Sequence, residues 1–325
     1  MKKLNFSILC AGHIAETMAR TVSKMDEVVP YAVAARDLSR ASRFAEKYGF
    51  QKAYGSYEEL VNDADVDLVY VASPHSLHYE HAKLCLLHGK HVLCEKPMTV
   101  NAKQAKELFR LAKERKLFIM EAVWTRFQPF AAKLKEVLDS GAIGDLQTML
   151  VTFGQDLRHV ERLASPELAG GALLDLGIYP LTFASMFFGT KVKQITSAAV
   201  KTEQGVDGQN SITLVYEDGR MAILNSCFLC TMKNQGIIYG NKGRVEVDSF
   251  WHPQEFRVYR NGEAEPEIDE ALFDFTGYEY EVRAAVRAIA QGEPECSQMP
   301  QEETLRVLRI MDRLRADWNM KYPFE

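Results

Sequence analysis

The first 120 residues alternate short apolar runs with segments whose apolar positions recur at helical spacing. Runs of β-type composition occur at 4–10, 28–35, 68–72, 91–94 and 117–120. Segments of helical spacing lie between them, at 14–24, 38–48, 57–63, 78–88 and 102–115. Continuous apolar strands are buried on both faces, and repeated strand–helix units favour a doubly wound parallel sheet. We therefore predict an α/β domain built on such a sheet over residues 1–120.

Residues 121–325 follow a different pattern and are predicted to form a second domain. A helix is expected at 129–140, and Glu217-Asp218-Gly219 is a hairpin signal between two apolar runs. The β-type runs lie at 147–153, 192–201, 211–216, 221–230, 235–239, 243–247 and 256–259. Helical segments are expected at 173–188, 280–291 and 302–319. Strands joined by hairpins predict an open, mostly antiparallel sheet with helices on one face.

Composition and charge narrow the class of protein. The 325 residues are 47% hydrophobic and 26% charged, with a formal net charge of −5. This ordinary globular balance gives no reason to expect nucleic acid or an anionic membrane surface as a partner. The least polar stretch, 169–189, contains Asp175, Gly177 and Pro180, which favours a buried helix over a membrane span. No leader pattern is visible, so a cytoplasmic protein is expected.

The cysteines do not predict a metal or redox site. Six are spread along the chain, and only Cys227 and Cys230 lie close together in sequence. Both fall within the predicted strand at 221–230, where positions three apart point to opposite faces. Because no histidine pair stands at zinc spacing, we expect no metal and a reducing compartment.

The turn after the first apolar run approximates a dinucleotide-binding fingerprint. The pattern G-x-G-x-x-G/A places glycines where backbone approaches a pyrophosphate at a helix amino terminus. Here Cys10 replaces the first glycine, Gly12 is the second, and Ala15 stands at the third position. An ordinary strand–helix turn would look similar. The placement on the first strand–helix turn favours cofactor contacts from four residues: Ala11, Gly12, His13 and Ile14.

The end of the second run bears on which nicotinamide cofactor binds. NAD-preferring folds place an acidic residue there for the ribose hydroxyls. This chain has Arg36 first and Asp37 second, with Arg40 one helical turn later. An arginine can bind a 2′-phosphate through a planar fork of donors, so NADP is predicted, with NAD possible through Asp37. A solvated helix start is the alternative for both arginines.

Two further loops follow apolar runs and therefore lie at the carboxyl edge of the predicted sheet, where open α/β sheets bind their ligands. The loop after 68–72 carries Ser73, Pro74 and His78, which are expected to pass beside the cofactor, with His78 not acting directly in catalysis. The loop after 91–94 is the tripeptide Glu95-Lys96-Pro97. A lysine there can reach a substrate hydroxyl beside a bound nucleotide. A surface turn is the alternative, since proline often begins the next element.

A glycine-rich segment in the second half carries two polar side chains within an apolar stretch. It reads Gly-Gly-Ala-Leu-Leu-Asp-Leu-Gly-Ile-Tyr-Pro over 170–180. Asp175 and Tyr179 are four residues apart and would share one face of a helix. Burying a carboxylate and a phenol is costly unless they contact a site or hydrogen-bonding partners. Either a functional site or a buried pair that anchors the helix would explain them.

Together these motifs resemble the glucose–fructose oxidoreductase and inositol dehydrogenase (Gfo/Idh/MocA) family over essentially the whole length. Within it, the segment 120–127 and the tail around 312–323 are most similar to dimeric dihydrodiol dehydrogenases and NADP-linked D-xylose dehydrogenases. The resemblance implies a Rossmann domain followed by an α/β domain whose open sheet face forms a dimer interface. It also implies Lys96, Asp175 and Tyr179 as the catalytic group, with Pro97, Trp124 and Arg126 near the nicotinamide.

The function that follows is hydride transfer between a nicotinamide and a secondary hydroxyl of a sugar, polyol or trans-dihydrodiol. Either Lys96 or Tyr179 could carry the proton, and Asp175 could hold a second hydroxyl. Phe153, Trp251 and Phe275 could wall the substrate or belong to the core. Two alternatives remain: a non-catalytic NADP-sensing regulator on the same fold, and a reductase of an imine or a linear tetrapyrrole.

A homodimer or a higher closed assembly is also predicted. The strands of the second half carry alternating apolar residues that one layer of helices cannot cover. The positions that suggest this are Ile212, Leu214, Ile223 and Phe228. An apolar sheet face of that size usually marks an interface.

Overall fold

The computed structural model describes residues 3–325, which divide into two compact units. Unit 1 comprises the residues up to Phe127 together with Asp274–Arg309, and unit 2 comprises Gln128–Phe273 and Ile310–Glu325. The sequence pattern instead predicts a single boundary near residue 120, with everything beyond it in the second domain. The difference lies in residues 274–309, which the sequence pattern places in the second domain and the contacts place in unit 1.

Unit 1 contains a six-stranded sheet in the order β3-β2-β1-β4-β5-β6, and every strand pair in it is parallel. The strands are β1 (Leu4–Leu9), β2 (Val28–Ala34), β3 (Lys52–Tyr54), β4 (Leu68–Val71), β5 (His91–Glu95) and β6 (Ile119–Ala122). The helices between them are α1 (His13–Val22), α2 (Leu38–Tyr48), α3 (Tyr57–Asn62), α4 (His78–Leu87) and α5 (Ala102–Arg115). The doubly wound parallel sheet is confirmed. β3 was not predicted, because three partly exposed residues give no periodic signal.

Helix α9 (Glu279–Gln291) joins the core of unit 1 although it lies far along the chain. Val282 and Ala285 belong to the same buried apolar cluster as Phe6 of β1 and Met18 of α1. The amphipathic pattern of α9 shows that it buries one face, but the pattern carries no information about which core receives that face.

Unit 2 is built on an eight-stranded sheet in the order β14-β13-β12-β11-β7-β10-β9-β8. The strands are β7 (Leu146–Gly154), β8 (Val192–Lys201), β9 (Asp207–Tyr216), β10 (Met221–Cys227), β11 (Gln235–Gly240), β12 (Gly243–Asp248), β13 (Glu255–Arg260) and β14 (Glu267–Glu270). Only the β7–β10 pair is parallel, so the mostly antiparallel sheet is confirmed. The helices of unit 2 are α6 (Pro129–Asp139), α7 (Glu161–Ala164) and α8 (Ile178–Phe188), and α10 (Gln301–Asp317) has residues in both units.

The two faces of this sheet differ in burial. Helix α8 packs against β7 and β10, and the residues on that face, including Ile212 and Leu214, are fully buried. Phe228, just beyond the end of β10, is buried as well. Of the four residues that suggested an open apolar face, only Ile223 lies there, half-buried. A period of two identifies both faces of a strand but does not say which face a helix covers.

Cys227 and Cys230 are not placed as predicted. β10 ends at Cys227, and the chain then bends, so the two sulfurs lie 3.7 Å apart instead of on opposite faces of one strand. The apolar residues Phe228 and Leu229 made the strand look longer than it is. All six cysteines are free thiols.

One helical stretch, Pro166–Phe188, is long and apolar enough to cross a membrane by length and composition. Of its most apolar window, 89% is buried inside the protein. The core helix of a soluble protein meets the same criteria, so this stretch is weak evidence for a membrane span.

Candidate active site

The turn that follows β1 presents open backbone at the start of a helix. Gly12 precedes α1 without a side-chain cap, and a Cβ placed on it would meet no described heavy atom within 4 Å. Cys10 adopts a left-handed conformation, with φ of 81°. That conformation is the one glycine provides most easily, so the replacement of the first glycine has kept the shape of the turn. Free amide groups at a helix start favour a bound phosphate.

Beside this turn lies a cavity of about 180 Å³. Its lining residues are Cys10, Ala11, Ala35, Arg36, Asp37, Arg40 and Tyr57. They come from the turns that follow β1 and β2, from the first turn of α2 and from the start of α3. This is the corner of a doubly wound sheet where the adenosine half of a dinucleotide binds.

The three charged residues of this cavity have different partners. Asp37 caps α2, and its carboxylate accepts hydrogen bonds from the backbone amide and the hydroxyl of Ser39 at 2.8 and 3.1 Å. Arg40 donates two hydrogen bonds to the carbonyl oxygen of Ala11, at 3.1 and 2.6 Å. Arg36 is exposed at the end of β2 and makes none of the described side-chain hydrogen bonds. Arg36 is therefore the cation best placed to bind a ligand anion.

His78 connects two of the predicted loops. It begins α4 and is buried, with Nδ1 2.8 Å from the carbonyl oxygen of Pro97 and Nε2 2.7 Å from that of Ser73. Burial lowers the pKa of His78 to about 4. Both ring nitrogens lie next to backbone carbonyls, so His78 links the loop after β4 to the loop after β5. The hydroxyl of Ser73 is buried without a hydrogen-bond partner among the described residues, as expected for a group that a ligand satisfies.

Lys96 stands directly after the last residue of β5, at the carboxyl edge of the sheet, and is half-buried. The preceding carboxylate, Glu95, accepts hydrogen bonds from the hydroxyl of Tyr70 on β4 and from the backbone amide of Lys96. The peptide bond between Lys96 and Pro97 is cis. Glu95 thus links the end of β5 to β4 and fixes the start of the loop.

The residues after β6 have mostly structural contacts. Trp124 stacks on Tyr278, with ring centroids 4.1 Å apart. The guanidinium of Arg126 pairs with the carboxylate of Glu303 at 3.0 Å and also donates to the carbonyl of Gln298. Burial lowers the pKa of Arg126. The charge of Arg126 is therefore already balanced within unit 1.

In unit 2, the segment with Asp175 and Tyr179 is not a uniform α-helix. Leu173–Gly177 forms a π-helical turn, and α8 begins immediately afterwards. The simple spacing of four residues therefore does not describe how these side chains are aligned. Such turns hold one extra residue and are frequent at functional sites. Nothing in the sequence distinguishes a π-helical turn from an α-helical one.

Asp175 pairs with an arginine that the sequence did not reveal. Arg162 of α7 makes two hydrogen bonds to the carboxylate, at 3.1 and 3.2 Å, and Asp175 is buried. Gly170 lets the backbone of α7 pass close by, because a Cβ there would lie 2.5 Å from the carbonyl oxygen of Leu163 and 2.7 Å from that of Arg162. The thirteen-residue separation has no helical or strand period, so only the pair of glycines hinted at a close backbone contact.

Aromatic rings surround Tyr179 in unit 2. Phe153 meets Tyr179 edge-on at 5.5 Å and stacks on Trp251 at 4.3 Å. Phe275 belongs to unit 1, where it lies next to the guanidinium of Arg283. Of the three aromatic residues considered as a substrate wall, Phe153 contacts Tyr179 directly and Trp251 stacks on Phe153.

These parts define a class of protein. The open glycine turn, the cavity with Arg36 at its edge and the unsatisfied hydroxyl of Ser73 fit a nicotinamide dinucleotide on a Rossmann sheet. Residues 4–123 match the model of an oxidoreductase family with an NAD-binding Rossmann fold, and residues 131–246 match the GFO/IDH/MocA C-terminal domain. The chain belongs to the Gfo/Idh/MocA family of NAD(P)-dependent oxidoreductases.

Named relatives are similar over nearly the whole chain. The trans-1,2-dihydrobenzene-1,2-diol dehydrogenase of Bos taurus is 39% identical, and that of Homo sapiens is 36% identical, each covering 98% of both chains. A 3-ketoreductase from Actinomadura kijaniata, solved with NADP and TDP-benzene, is 27% identical with a TM-score of 0.89 over 97% of this chain and 98% of that one. An aldose–aldose oxidoreductase from Caulobacter crescentus, at 22% identity and a TM-score of 0.88, shares the fold.

Proposed function

We propose that this protein oxidises a secondary hydroxyl of a cyclic trans-diol with NADP, giving a hydroxy ketone, and catalyses the reverse reduction. The observation that carries the proposal is the similarity of 36–39% over almost the entire chain to relatives named as dehydrogenases of such a diol. A sugar or polyol is the second candidate, since it offers the same pair of neighbouring hydroxyls.

We further propose that Lys96, Asp175 and Tyr179 act on one substrate. The nicotinamide, when bound, accepts or donates the hydride. Lys96 would hydrogen-bond the reacting oxygen and favour its alkoxide-like state, and Lys96 or Tyr179 would take the proton. Asp175 would accept a hydrogen bond from the neighbouring hydroxyl. Its two-point contact with Arg162 supports this role, because a guanidinium holds the carboxylate in one orientation.

The surroundings of Tyr179 suit a ring-shaped substrate. Trp251 is half-buried and stacks on Phe153, which is buried against the phenol, so the tryptophan offers flat apolar surface that packs against a dihydrodiol ring or the apolar face of a sugar. A substrate of this kind offers one hydroxyl for oxidation and a second for recognition. The tyrosine and the aromatic pair therefore favour cyclic over linear polyols.

Two features favour NADP as the cofactor. Arg36 lines the cavity of the adenosine half without a described side-chain hydrogen bond of its own. Asp37, which could have served the ribose hydroxyls of NAD, already caps α2. A cation whose neighbouring carboxylate is engaged in capping a helix favours a 2′-phosphate.

We propose a homodimer in the cytoplasm, formed through the open face of the unit 2 sheet. Leu150, Ile223 and Ile237 on that face are half-buried, and Met221 is 37% exposed. An apolar face of this kind is suited to a second copy of the chain. Six free thiols are consistent with a reducing compartment.

The non-catalytic sensor and the imine or tetrapyrrole reductase are less well supported. A sensor has no need of a lysine, an aspartate and a tyrosine together, and the relatives at 36–39% identity are named as dehydrogenases. A tetrapyrrole or imine gives no role to a carboxylate that accepts from a second hydroxyl.

A spectrophotometric screen tests the proposal. NADP reduction is followed at fixed enzyme concentration over trans-dihydrodiols, pentoses, hexoses and linear polyols, with a reaction that lacks enzyme as the blank. We expect the highest kcat/KM on a cyclic trans-diol, a weaker rate on aldoses, and no rate in the blank. The absence of NADP reduction with every diol and sugar, in a protein that binds NADPH, would contradict the proposal.

A further inference from the structure

A buried polar network lies beneath the segment that carries Asp175 and Tyr179. Oδ2 of Asp207, at the start of β9, accepts a hydrogen bond from Nδ2 of Asn210 at 2.7 Å. Oδ1 of Asn210 accepts one from the hydroxyl of Ser226 on β10 at 2.9 Å. All three residues are at most 6% exposed. We call Asp207, Asn210 and Ser226 the β9–β10 network.

The network binds the first residue of the π-helical turn. The backbone amide of Leu173 donates to Oδ2 of Asp207 at 2.8 Å. Asp175 follows two residues later and Tyr179 four residues after that. A helix start needs a side-chain or ligand acceptor for its free amides, and here the acceptor comes from the sheet instead of from the preceding residues.

The glycines of the segment show how closely the network approaches. A Cβ on Gly171 would lie 2.3 Å from Oδ1 of Asp207, and Gly171 has a φ of 109°. A Cβ on Gly177, at the end of the π-helical turn, would lie 3.1 Å from the hydroxyl of Ser226. The network therefore touches the π-helical turn at both ends, and each glycine makes room for one of its members.

Burying the carboxylate of Asp207 costs desolvation free energy, and its hydrogen bonds offset only part of that cost. Asp207 is fully buried, and burial raises its pKa to about 7, although the hydrogen bonds from Asn210 and Leu173 oppose this. The charged or titratable groups that act on it are Arg315 and Tyr322, from the carboxyl-terminal segment. An apolar residue would fill the same space without the desolvation penalty, but it could not hold the amide of Leu173.

We infer that the β9–β10 network is a positioning device that holds the π-helical turn in register and thereby orients Asp175 and Tyr179 toward the substrate. A π-helical turn contains one more residue than an α-helical turn. If the turn relaxed to an α-helix, side chains on its two sides would rotate relative to each other by about 100°. The inference rests on the proposed function, in which these two side chains contact the substrate.

The test compares Asp207→Ala with Asp207→Asn. The alanine removes the acceptor for Leu173, and we expect kcat to fall by about a hundredfold while NADPH binds with unchanged affinity. The asparagine keeps an oxygen that accepts the same hydrogen bond, so kcat should stay within about threefold of the parent. Asp218→Ala, at an exposed position in the turn after β9, is the matched control and should leave kcat unchanged.

Stability is measured in parallel by thermal unfolding. If Asp207→Ala does not fold, Ser226→Ala takes its place; it breaks the network at its far end, and we expect a fall in kcat of about tenfold. Unchanged kcat in the folded alanine variant, whether at 207 or at 226, would overturn the inference. A loss in Asp207→Asn equal to that in Asp207→Ala would also overturn it.

Failure of the proposed function would look different. Asp175→Asn alone should reduce kcat, and near-normal turnover of that variant would contradict the role of Asp175 itself. If Asp175→Asn is inactive while Asp207→Ala is active, only the positioning inference fails. Because the network acts partly through Asp175, the double variant Asp175→Asn/Asp207→Ala should lose less kcat than the product of the two single losses, a non-additive result that a separate stability defect would not produce.

Discussion

At the scale of single residues, neighbouring charges acquire different tasks from their immediate partners. Asp37 is tied to Ser39 and Arg40 to Ala11, whereas Arg36 remains at the edge of the cavity. The sequence alone left open whether Asp37 or Arg36 would read the ribose. The capping hydrogen bonds of Asp37 favour Arg36, and hence NADP.

Replacing Arg36 with alanine tests this directly. A charge-assisted hydrogen bond contributes on the order of 1.5–3 kcal/mol, so the KM for NADP should rise roughly tenfold to a hundredfold. The KM for NAD should change little, since NAD has no 2′-phosphate. Arg43→Ala, on the neighbouring helix α2 and outside the cavity, is the control. An equal rise for both cofactors would mean that Arg36 stacks on the adenine instead of binding the phosphate.

Asp207 predicts a pH dependence of stability. Its pKa is raised from 3.8 to about 7 by burial, so the folded chain holds the proton more tightly than the unfolded one. The resulting stabilisation is fully present below about pH 4 and is lost as pH rises through 7. The free energy of urea unfolding of the parent, relative to Asp207→Asn, should therefore fall by on the order of 3 kcal/mol between pH 4 and 8. A pH-independent difference would contradict the assignment.

The sequence identified residues whose side chains contrast with their immediate neighbours in the chain. Lys96 follows a buried strand, and Asp175 and Tyr179 interrupt an apolar segment. Arg162 and Asp207 were not predicted. Arg162 acquires its role by contacting Asp175, and Asp207 by contacting Leu173, and both partners are distant in sequence. An exposed-looking arginine and an aspartate at a strand start carry no signal of such contacts.

At the scale of elements, the glycine-rich segment shows how sheet and helix shape one another. Gly170, Gly171 and Gly177 each leave space for an atom from another part of unit 2: a carbonyl of Arg162, the carboxylate of Asp207 and the hydroxyl of Ser226. The helices and strands that were predicted from periodicity were found with small shifts at their ends. The π-helical turn was not predicted, because it depends on these tertiary contacts.

Alanine at Gly171 should therefore cost more than alanine at an open glycine. Gly219 also has a positive φ, of 89°, but a Cβ there would meet no described atom within 4 Å. Gly219→Ala should lose about 1 kcal/mol from backbone strain. Gly171→Ala should lose roughly 2 kcal/mol more, because it overlaps Asp207, and should also lower kcat. Equal losses in urea unfolding would show that the carboxylate can move aside at no cost.

At the scale of the whole molecule, the sequence predicted two domains but not how the chain is shared between them. Helix α9 packs into the core of unit 1, although all residues near it in sequence suggested the second domain. The order of elements along a chain does not reveal that a late helix packs back into the first domain. The open face of the unit 2 sheet likewise had to be reassigned, from Ile212 and Leu214 to Leu150, Ile223 and Ile237.

Light scattering tests the dimer proposed for that face. The parent should have about twice the monomer mass of 36.8 kDa at micromolar concentration. Ile223→Glu places a charge in the interface and should yield the monomer, whereas Leu87→Glu, an exposed apolar position in unit 1, should not. A parent of 36.8 kDa would contradict the proposal.

The central claim, that Lys96 takes part in hydride transfer at a secondary hydroxyl, is tested most directly by turnover and cofactor binding in Lys96→Met. Loss of a positioned acid–base group typically slows a reaction about a hundredfold to ten-thousandfold. We expect that loss of kcat on the best diol, an unchanged dissociation constant in NADPH fluorescence titration, and normal kcat in the control Lys103→Met. Near-normal turnover in Lys96→Met would contradict the account.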